Sequence, residues 1–252
     1  MNNTIIKGIE ILKLIAQSKK ALNITEITKI TNIPKTTVHN LVKTFEQTGF
    51  LELENKQLKS YKLGILSFEI GINYVNSLDI YTISKPILQE LSNKTSNSSF
   101  LVKRLDNEII YINKVEANKR IIATSDIGTR MPLYTSSMGK SILSTFSQEE
   151  LENYFNNVKL IKKTPYTIDS KEKLLEQLEE GRKKGYFTAN YENEDKLYCI
   201  GSPVFNHHNE CVAAIGISLI SFDRDTMKNK DIFAEYVKES AYELSKKLGY
   251  KK

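Results

Sequence analysis

Apolar residues recur at helical spacing near the start of the chain. This pattern predicts an amphipathic helix over residues 4–17. Its apolar stripe consists of Ile5, Ile9, Leu12 and Ala16. Asn23 and Glu26 then have the spacing of a capping box, in which each side chain accepts a hydrogen bond from the other residue's backbone. We therefore predict that a short second helix begins there and runs to about residue 30.

A third helix, predicted over residues 34–48, carries the most informative pattern. Pro34 suits its first turn, where a missing N–H costs nothing. One face is apolar and must pack on the first two helices; it consists of Val38, Leu41, Val42 and Phe45. The opposite face consists of Thr36, Asn40, Lys43 and Gln47, with Thr37 and His39 beside them and Glu46 off to the side. Short polar side chains without acids suit the major groove of DNA.

Two short strands, predicted over residues 49–53 and 59–63, follow the third helix. The hairpin they form carries Lys56, Lys59 and Lys62. A basic hairpin directly after a helix-turn-helix is typical of the wing of a winged-helix domain, whose lysines lie near phosphates. The alternative is a small helical interaction module that does not bind DNA.

The rest of the chain mixes helical and alternating patterns. Helices are predicted over residues 64–77, 79–94, 139–146, 148–155, 170–184 and 225–248. Strands are predicted over residues 99–105, 108–115, 120–125, 185–189, 197–205 and 211–220. This order indicates an α+β domain with an antiparallel-rich sheet. We expect a DNA-binding domain over residues 1–64, a linker helix over 65–78 and a larger domain over 79–252.

The distribution of charge supports an anionic partner for the first domain. The chain of 252 residues has a net charge of +6. Its first 64 residues hold ten Lys and five Asp or Glu, so they carry most of that excess. Nucleic acid is the first candidate, and a solvated basic face is the alternative. Because we find no secretory signal and no apolar run long enough to span a membrane, we expect a cytoplasmic protein.

Residue patterns typical of enzymes are incomplete in this chain. Ser137 and Lys140 fit the S-x-x-K motif, but its partner motifs are absent, and the same segment lacks a glycine that a P-loop requires. His207, His208 and Cys211 do not make a full set of metal ligands. We therefore expect no catalytic activity, no cofactor and no bound metal.

Three stretches between residues 6 and 71 resemble the N-terminal domain of the IclR family of bacterial regulators: IKGIEILKLIA, ITEITKITNIPKTTVHNLVKTFEQTGF and YKLGILSFEIG. The resemblance continues with MPLYTSSMGKSIL, GYFTANYENEDKLYCIGSPVF and AAIGIS. It implies a winged helix-turn-helix followed by a GAF/profilin-like domain with an antiparallel sheet, which binds an effector and forms oligomers. We accordingly expect a transcription regulator, in the first instance a repressor, that acts as a homodimer or homotetramer.

The resemblance also implies which residues bind DNA and effector. The DNA-contacting residues would be Lys35, Thr36, Thr37, His39, Asn40, Lys43, Lys56 and Lys59. The effector-binding residues would be Met131, Ser137, Met138, Ala189, Leu197, Cys199, Gly216 and Ser218. Backbone N–H groups of Ser137 and Met138, with the Ser218 hydroxyl, are suited to a carboxylate. Cys199 could equally be a small buried apolar residue.

Two departures from the family pattern bear on specificity. Several relatives have an acid where this chain has Ala189. We therefore expect an effector that is a larger or more apolar carboxylate than the small keto acids of the best-known relatives. The family commonly has Arg at the position of Asn40, which predicts an adenine contact here instead of a guanine contact. Two other functions stay open: an enzyme with an added DNA-binding module, and a scaffold that binds no ligand.

Overall fold

The computed structural model describes residues 2–76, 79–117, 125–220 and 227–251. The chain divides into two compact units, Met1–Leu78 and Asp79–Lys252. Within the described ranges, no helix combines the length and apolar character needed to cross a membrane.

The described residues of the first unit form the helices α1 (Asn3–Gln17), α2 (Ile24–Thr31), α3 (Lys35–Gln47) and α4 (Ile65–Asn76). The predicted capping box at the start of α2 is confirmed, since Asn23 Oδ1 accepts from Glu26 N and Glu26 Oε2 accepts from Asn23 N. Asn32 ends α2 in the left-handed conformation, with a φ of 56°. This residue allows the tight turn that leads into α3.

Three short strands complete the first unit: β1 (Leu22–Asn23), β2 (Leu51–Asn55) and β3 (Ser60–Leu63), in the order β1-β3-β2. Both pairings are antiparallel, so β2 and β3 form the predicted wing hairpin. Gly64 follows directly, at a position where a Cβ would lie 2.3 Å from the carbonyl oxygen of Gly49. Only glycine permits this close approach between the ends of the hairpin.

The apolar stripe predicted for α1 is wrong. Ile5 and Ile9 are 59% and 48% exposed, whereas α1 buries Gly8, Ile11 and Ile15. A Cβ on Gly8 would lie 3.0 Å from the Phe45 ring, so α1 presents its smallest residue to α3. Because α1 is rich in isoleucine and leucine on every side, periodicity alone could not identify the face that packs.

The second unit is built on a six-stranded sheet in the order β6-β5-β4-β9-β8-β7, in which every strand pairing is antiparallel. The strands are β4 (Ser98–Leu105), β5 (Glu108–Val115), β6 (Arg130–Pro132), β7 (Phe187–Asn190), β8 (Leu197–Phe205) and β9 (Cys211–Ile220). Strand β6 was not predicted from the sequence. The strand predicted over 120–125 falls almost wholly outside the described residues.

The α-helices with full bounds in the described part of this unit are α5 (Asp79–Thr95), α6 (Ser137–Leu143), α7 (Gln148–Asn157), α8 (Lys171–Lys184) and α9 (Lys230–Lys247). Helix α6 begins two residues before the predicted start, because Ser136 caps it by accepting from Gly139 N. All seven residues of α6 are buried. Met138 lies on Gly201 and Gly216 of the sheet, where a Cβ would come within 3 Å of its side chain. The predicted α+β fold is therefore confirmed.

Candidate functional site

The outer face of α3 is open to solvent, as its pattern predicts. Val38 and Val42 are fully buried on the inner side. The proposed DNA-contacting residues Lys35, Thr36, His39, Asn40 and Lys43 are exposed together with Gln47, and Thr37 is half-buried. Asn40 and His39 lie side by side, with Asn40 Oδ1 3.5 Å from His39 Nδ1. The structure thus brings the predicted residues of α3 onto one accessible polar surface.

Acidic side chains reach this surface in a way that the sequence analysis missed. Glu46 accepts a hydrogen bond from Lys43, with 2.7 Å between Oε2 and Nζ, and this bond raises the pKa of Lys43. Lys62 Nζ lies 3.2 Å from Glu52 and 3.8 Å from Glu54. The signals were present in the sequence, since residues three apart on a helix and opposite each other in a hairpin are neighbours.

The other basic residues of the predicted surface are less constrained. Within the described ranges, no carboxylate lies within 4.0 Å of the ammonium groups of Lys35, Lys56 or Lys59. Lys56 lies in a turn in which Asn55 Oδ1 accepts from two backbone N–H groups at 2.8 and 2.9 Å. The hairpin tip therefore presents two positive charges that no carboxylate of the described residues compensates within 4.0 Å.

A small cavity of about 30 Å³ lies within the second unit, between the start of α6 and one end of the sheet. Its lining residues are Tyr111, Ser125, Met131, Thr135, Ser136, Met138, Ala189, Glu192, Asn193, Glu194, Leu197, Cys199 and Ser218. Six of the eight proposed effector-binding residues are among them. The other two, Ser137 and Gly216, do not line the cavity but adjoin Met138 from the helix and from the sheet.

The polar groups near the cavity are mostly neutral. Cys199 Sγ lies 3.3 Å from Ser218 Oγ, and burial raises the pKa of the Cys199 thiol to about 11. Burial also raises the pKa of the Tyr111 hydroxyl above its ordinary value. Ser137 Oγ is buried and lacks a hydrogen-bond partner among the described residues. These side chains offer hydrogen bonds but no charge to a ligand.

Two acids line the cavity: Glu194, which is exposed, and Glu192, which is buried. Neither was predicted as a site residue from the sequence. Both carboxylate oxygens of Glu192 accept from Lys140 Nζ, at 2.8 and 2.9 Å, and Lys140 also donates to Gln177 Oε1 at 2.6 Å. Lys140 is 1% exposed and Glu192 is 4% exposed. Burial lowers the pKa of Lys140 and raises that of Glu192, while the attraction between them opposes both shifts.

One sequence signal for this pair existed. Lys140 stands in the run SMGKSIL, where a lysine on a helix packed against a sheet requires a partner. In the sequence, Lys140 was linked only to the incomplete S-x-x-K and P-loop motifs. Its partner lies 52 residues away, so the sequence by itself could not identify it.

The turn that carries Glu192 is held from outside by the segment between α7 and α8. Thr164 Oγ1 donates to the carbonyl of Tyr191 at 2.7 Å, and Thr167 Oγ1 donates to that of Glu192 at 2.5 Å. Tyr191 and Lys196, at the two ends of the turn, have φ values of 61° and 69°. Within the described residues, no group of three or more His, Cys, Asp or Glu side chains is placed to hold a metal.

Comparisons with known proteins match both units. A model of the IclR helix-turn-helix domain matches residues 4–54, and a model described as bacterial transcriptional regulator IclR C-terminal matches residues 72–246. The HTH-type transcriptional regulator KipR of Bacillus subtilis (strain 168) is 35% identical over 250 residues, which cover 99% of this chain and 98% of KipR.

Two solved structures share the fold. The crystal structure of Thermotoga maritima IclR is 32% identical, with a TM-score of 0.77 over 99% of this chain and 100% of that one. An IclR homologue from Microbacterium hydrocarbonoxydans, complexed with 4-hydroxybenzoate, has a TM-score of 0.83 at 18% identity and covers 98% of this chain and 99% of its own. At that identity the likeness shows the fold alone.

The two family models follow each other along the chain in the order of its two units, and only residues 55–71 lie between the matched ranges. Relatives of similar length match from end to end and are regulators rather than enzymes. This protein is therefore a DNA-binding transcriptional regulator and not an enzyme, and it belongs to the IclR family.

Proposed function

We propose that this regulator binds a specific operator through the outer face of α3 and the tip of the β2–β3 hairpin. The observation that carries the proposal is the polar surface formed by Thr36, Asn40 and Lys43, which is exposed while the opposite side of α3 is fully buried. A helix of this kind enters the major groove with its polar side chains against base edges.

The lysines of the surface have different roles in this proposal. Lys56 and Lys59, whose ammonium groups have no carboxylate within 4.0 Å among the described residues, bind phosphates and fix the position of α3 on the duplex. Lys62 is already paired with Glu52 and Glu54, so it contributes less. Lys43 exchanges Glu46 for a phosphate or base when DNA approaches.

We further propose that a small-molecule carboxylate binds in the cavity beside Met138 and Ser218. Helix α6 leaves the first backbone N–H groups, those of Ser137 and Met138, without partners within the helix. The Ser137 hydroxyl is buried without a partner among the described residues, and because it does not line the cavity it would reach the ligand only after the cavity has opened. The complex of 4-hydroxybenzoate with the structural relative from Microbacterium hydrocarbonoxydans supports a ligand of this class.

The cavity is so small that the effector can bind only if the protein changes its conformation. A volume of about 30 Å³ holds about two water molecules, which is far less than an organic acid occupies. The turn from Tyr191 to Lys196 must therefore move when the effector enters. A ligand that binds only the opened arrangement shifts the population towards it, and we propose that this shift releases the regulator from its operator and relieves repression.

Exposed apolar side chains in the first unit support a homodimer, which can assemble further into a tetramer. Ile5, Ile6 and Ile9 on α1 are 42–59% exposed, and Ile65 and Phe68 on α4 are both 64% exposed. A group of large apolar side chains on a soluble protein usually marks an interface. Two copies would present two α3 helices to an operator with two-fold symmetry.

The test of the proposed function begins with DNA fragments that the full-length protein retains from a bacterial genome. Sequencing should give one enriched motif with two-fold symmetry, and transcription in vitro from a promoter that contains it should fall when the protein is added. A variant with Asn40→Ala and Lys43→Ala should lose the enrichment, while Lys183→Ala on α8 should retain it. Retention of fragments without a shared motif would contradict the proposal.

A further inference from the structure

The single acid in the sequence of α3 is paired with a lysine of its DNA-contacting face. Glu46 Oε2 accepts a hydrogen bond from Lys43 Nζ at 2.7 Å. The Lys43 side chain is 48% exposed and that of Glu46 is 27% exposed, so the acid is the more enclosed partner. Tyr61 of β3, which is buried, also interacts with Lys43, and Glu46 and after it Tyr61 raise the pKa of this lysine. Side chains from two elements therefore hold the ammonium group of Lys43.

This ion pair is weak, yet it changes the charge that DNA meets on approach. An exposed pair three residues apart on a helix contributes little to stability, because water screens both charges. At about 0.1 M salt, however, a charge acts over about 10 Å. The charged groups of Lys43 and Glu46 are much closer to each other than that. Phosphates that approach α3 therefore meet a neutral pair instead of a free ammonium group.

Other lysines of the surface do not have such a partner. Within the described ranges, the ammonium groups of Lys35, Lys56 and Lys59 have no carboxylate within 4.0 Å. Binding to DNA of unrelated sequence is electrostatic and depends on the number of phosphates that lysines neutralise. These three lysines can attract any duplex, whereas Lys43 contributes little as long as Glu46 retains it.

The operator differs from other DNA in what it offers to Lys43 at short range. When α3 fits the bases of the major groove, Lys43 can donate to a base edge or a phosphate at hydrogen-bond distance. Those bonds replace the one to Glu46. A duplex that does not fit α3 keeps the helix from this close approach, so the exchange of partners is not compensated there.

We propose that Glu46 is a specificity-determining residue of the DNA-binding surface, which keeps Lys43 in an ion pair on DNA of unrelated sequence and releases it on the operator. This inference rests on the operator binding proposed above. Specificity is a difference between two affinities, so a group that weakens binding to unrelated DNA raises specificity without adding a contact to the operator.

The first test measures binding of the full-length Glu46→Gln variant to a duplex of arbitrary sequence at about 50–200 mM salt. Glutamine keeps the shape of the side chain but removes its charge, so Lys43 becomes available to a phosphate. The slope of log affinity against log salt concentration should grow in magnitude by about 0.9 for each lysine released. Affinity at about 0.1 M salt should rise about fivefold to tenfold. An unchanged slope and affinity would overturn the proposal.

A Lys43→Met background separates release of the lysine from simple loss of repulsion between Glu46 and phosphates. Without the ammonium group there is nothing for Glu46 to retain. Adding Glu46→Gln to Lys43→Met should therefore change the slope much less than the same substitution does in the native protein. An equal change in both backgrounds would show that Glu46 acts by repulsion alone and would overturn the proposal.

Glu152→Gln on α7 is the matched control for net charge. Glu152 is exposed in the second unit, and its substitution removes the same charge from the chain. It should leave the slope for the arbitrary duplex unchanged. A rise equal to that of Glu46→Gln would show that only the net charge of the protein matters and would overturn the proposal.

The second test compares the operator, obtained from the retained genomic fragments, with the arbitrary duplex. Glu46→Gln should lower the ratio of the two affinities at least about threefold, because the operator complex of the native protein already engages Lys43. Equal gains on both duplexes would overturn this inference and leave operator binding intact. If the native protein enriches no operator, the proposed function itself is refuted, whatever slope Glu46→Gln gives on the arbitrary duplex.

Discussion

Lys140 Nζ lies 2.8 and 2.9 Å from the two carboxylate oxygens of Glu192, and both side chains are almost completely buried. The pair joins α6, which packs on the sheet, to the turn that closes the cavity. The pair thus links the buried helix α6 to a turn that lines the cavity, and its contribution can be measured through the stability of the protein.

The first prediction concerns the stability of this pair. Lys140→Met should lower the free energy of unfolding by about 3–5 kcal/mol, because it leaves the Glu192 carboxylate buried without a counter-ion. The double variant Lys140→Met/Glu192→Leu should recover most of that loss. Denaturant titration of Lys140→Met, of Glu192→Leu and of the double variant measures the coupling energy between the two residues. Additive losses from the two single substitutions would show that the residues do not interact.

The second prediction concerns the bases that α3 contacts. Asn40 is exposed at the centre of its outer face, and an asparagine can form two hydrogen bonds with adenine. Asn40→Ala should therefore cost about 1–3 kcal/mol of discrimination at one A·T base pair in each half-site. The measurement is affinity for operators substituted base by base. If Asn40→Ala weakens all operators equally, Asn40 binds the backbone and reads no base.

The third prediction concerns the lysines of the hairpin. Lys56→Ala and Lys59→Ala should each remove about one phosphate contact, so each should lower by about one the magnitude of the slope of log affinity against log salt concentration. Lys62→Ala should have a smaller effect, because Glu52 and Glu54 already compensate that charge. The slope of the logarithm of affinity against that of salt concentration gives the comparison. Equal slopes for all three variants would show that the ion pairs of Lys62 do not persist on DNA.

The fourth prediction concerns the oligomer. Phe68 is 64% exposed on α4, so Phe68→Ser removes apolar surface without opening a cavity in the core of one copy. The variant should shift the light-scattering mass towards the monomer and leave the thermal unfolding of dilute protein nearly unchanged. Glu69→Ser, on the next residue of the same helix, is the control. A variant that stays dimeric would place the interface elsewhere.

The fifth prediction concerns the two thiols. Burial raises the pKa of both Cys199 and Cys211 to about 11. At pH 8 only about one thiol in a thousand is then a thiolate, so the native protein should react slowly with iodoacetamide and quickly once unfolded. The raised pKa values also mean that stability falls between about pH 9 and pH 11, where thiols ionise in the unfolded state first. Rapid native labelling at pH 8 would contradict this.

The fold was largely predictable because local patterns specify most of its elements. Strands β5, β8 and β9 have the predicted bounds, and the capping box at Asn23 marks the start of α2. Turn chemistry and alternation act over a few residues, so they can be read directly from the sequence. The three-residue strand β6 was missed because it is too short to show alternation.

The sequence by itself determined the order of the elements, the polar face of α3 and the basic charge of the first unit. The tertiary structure alone decided which side of α1 packs, since isoleucines on every side left the choice to the fit of Gly8 against Phe45. It also decided that Lys43 and Lys62 are compensated and that Lys140 meets Glu192. The energy of a buried ion pair depends on distance and burial, and for residues 52 positions apart both are set only when the sheet and its helices have assembled.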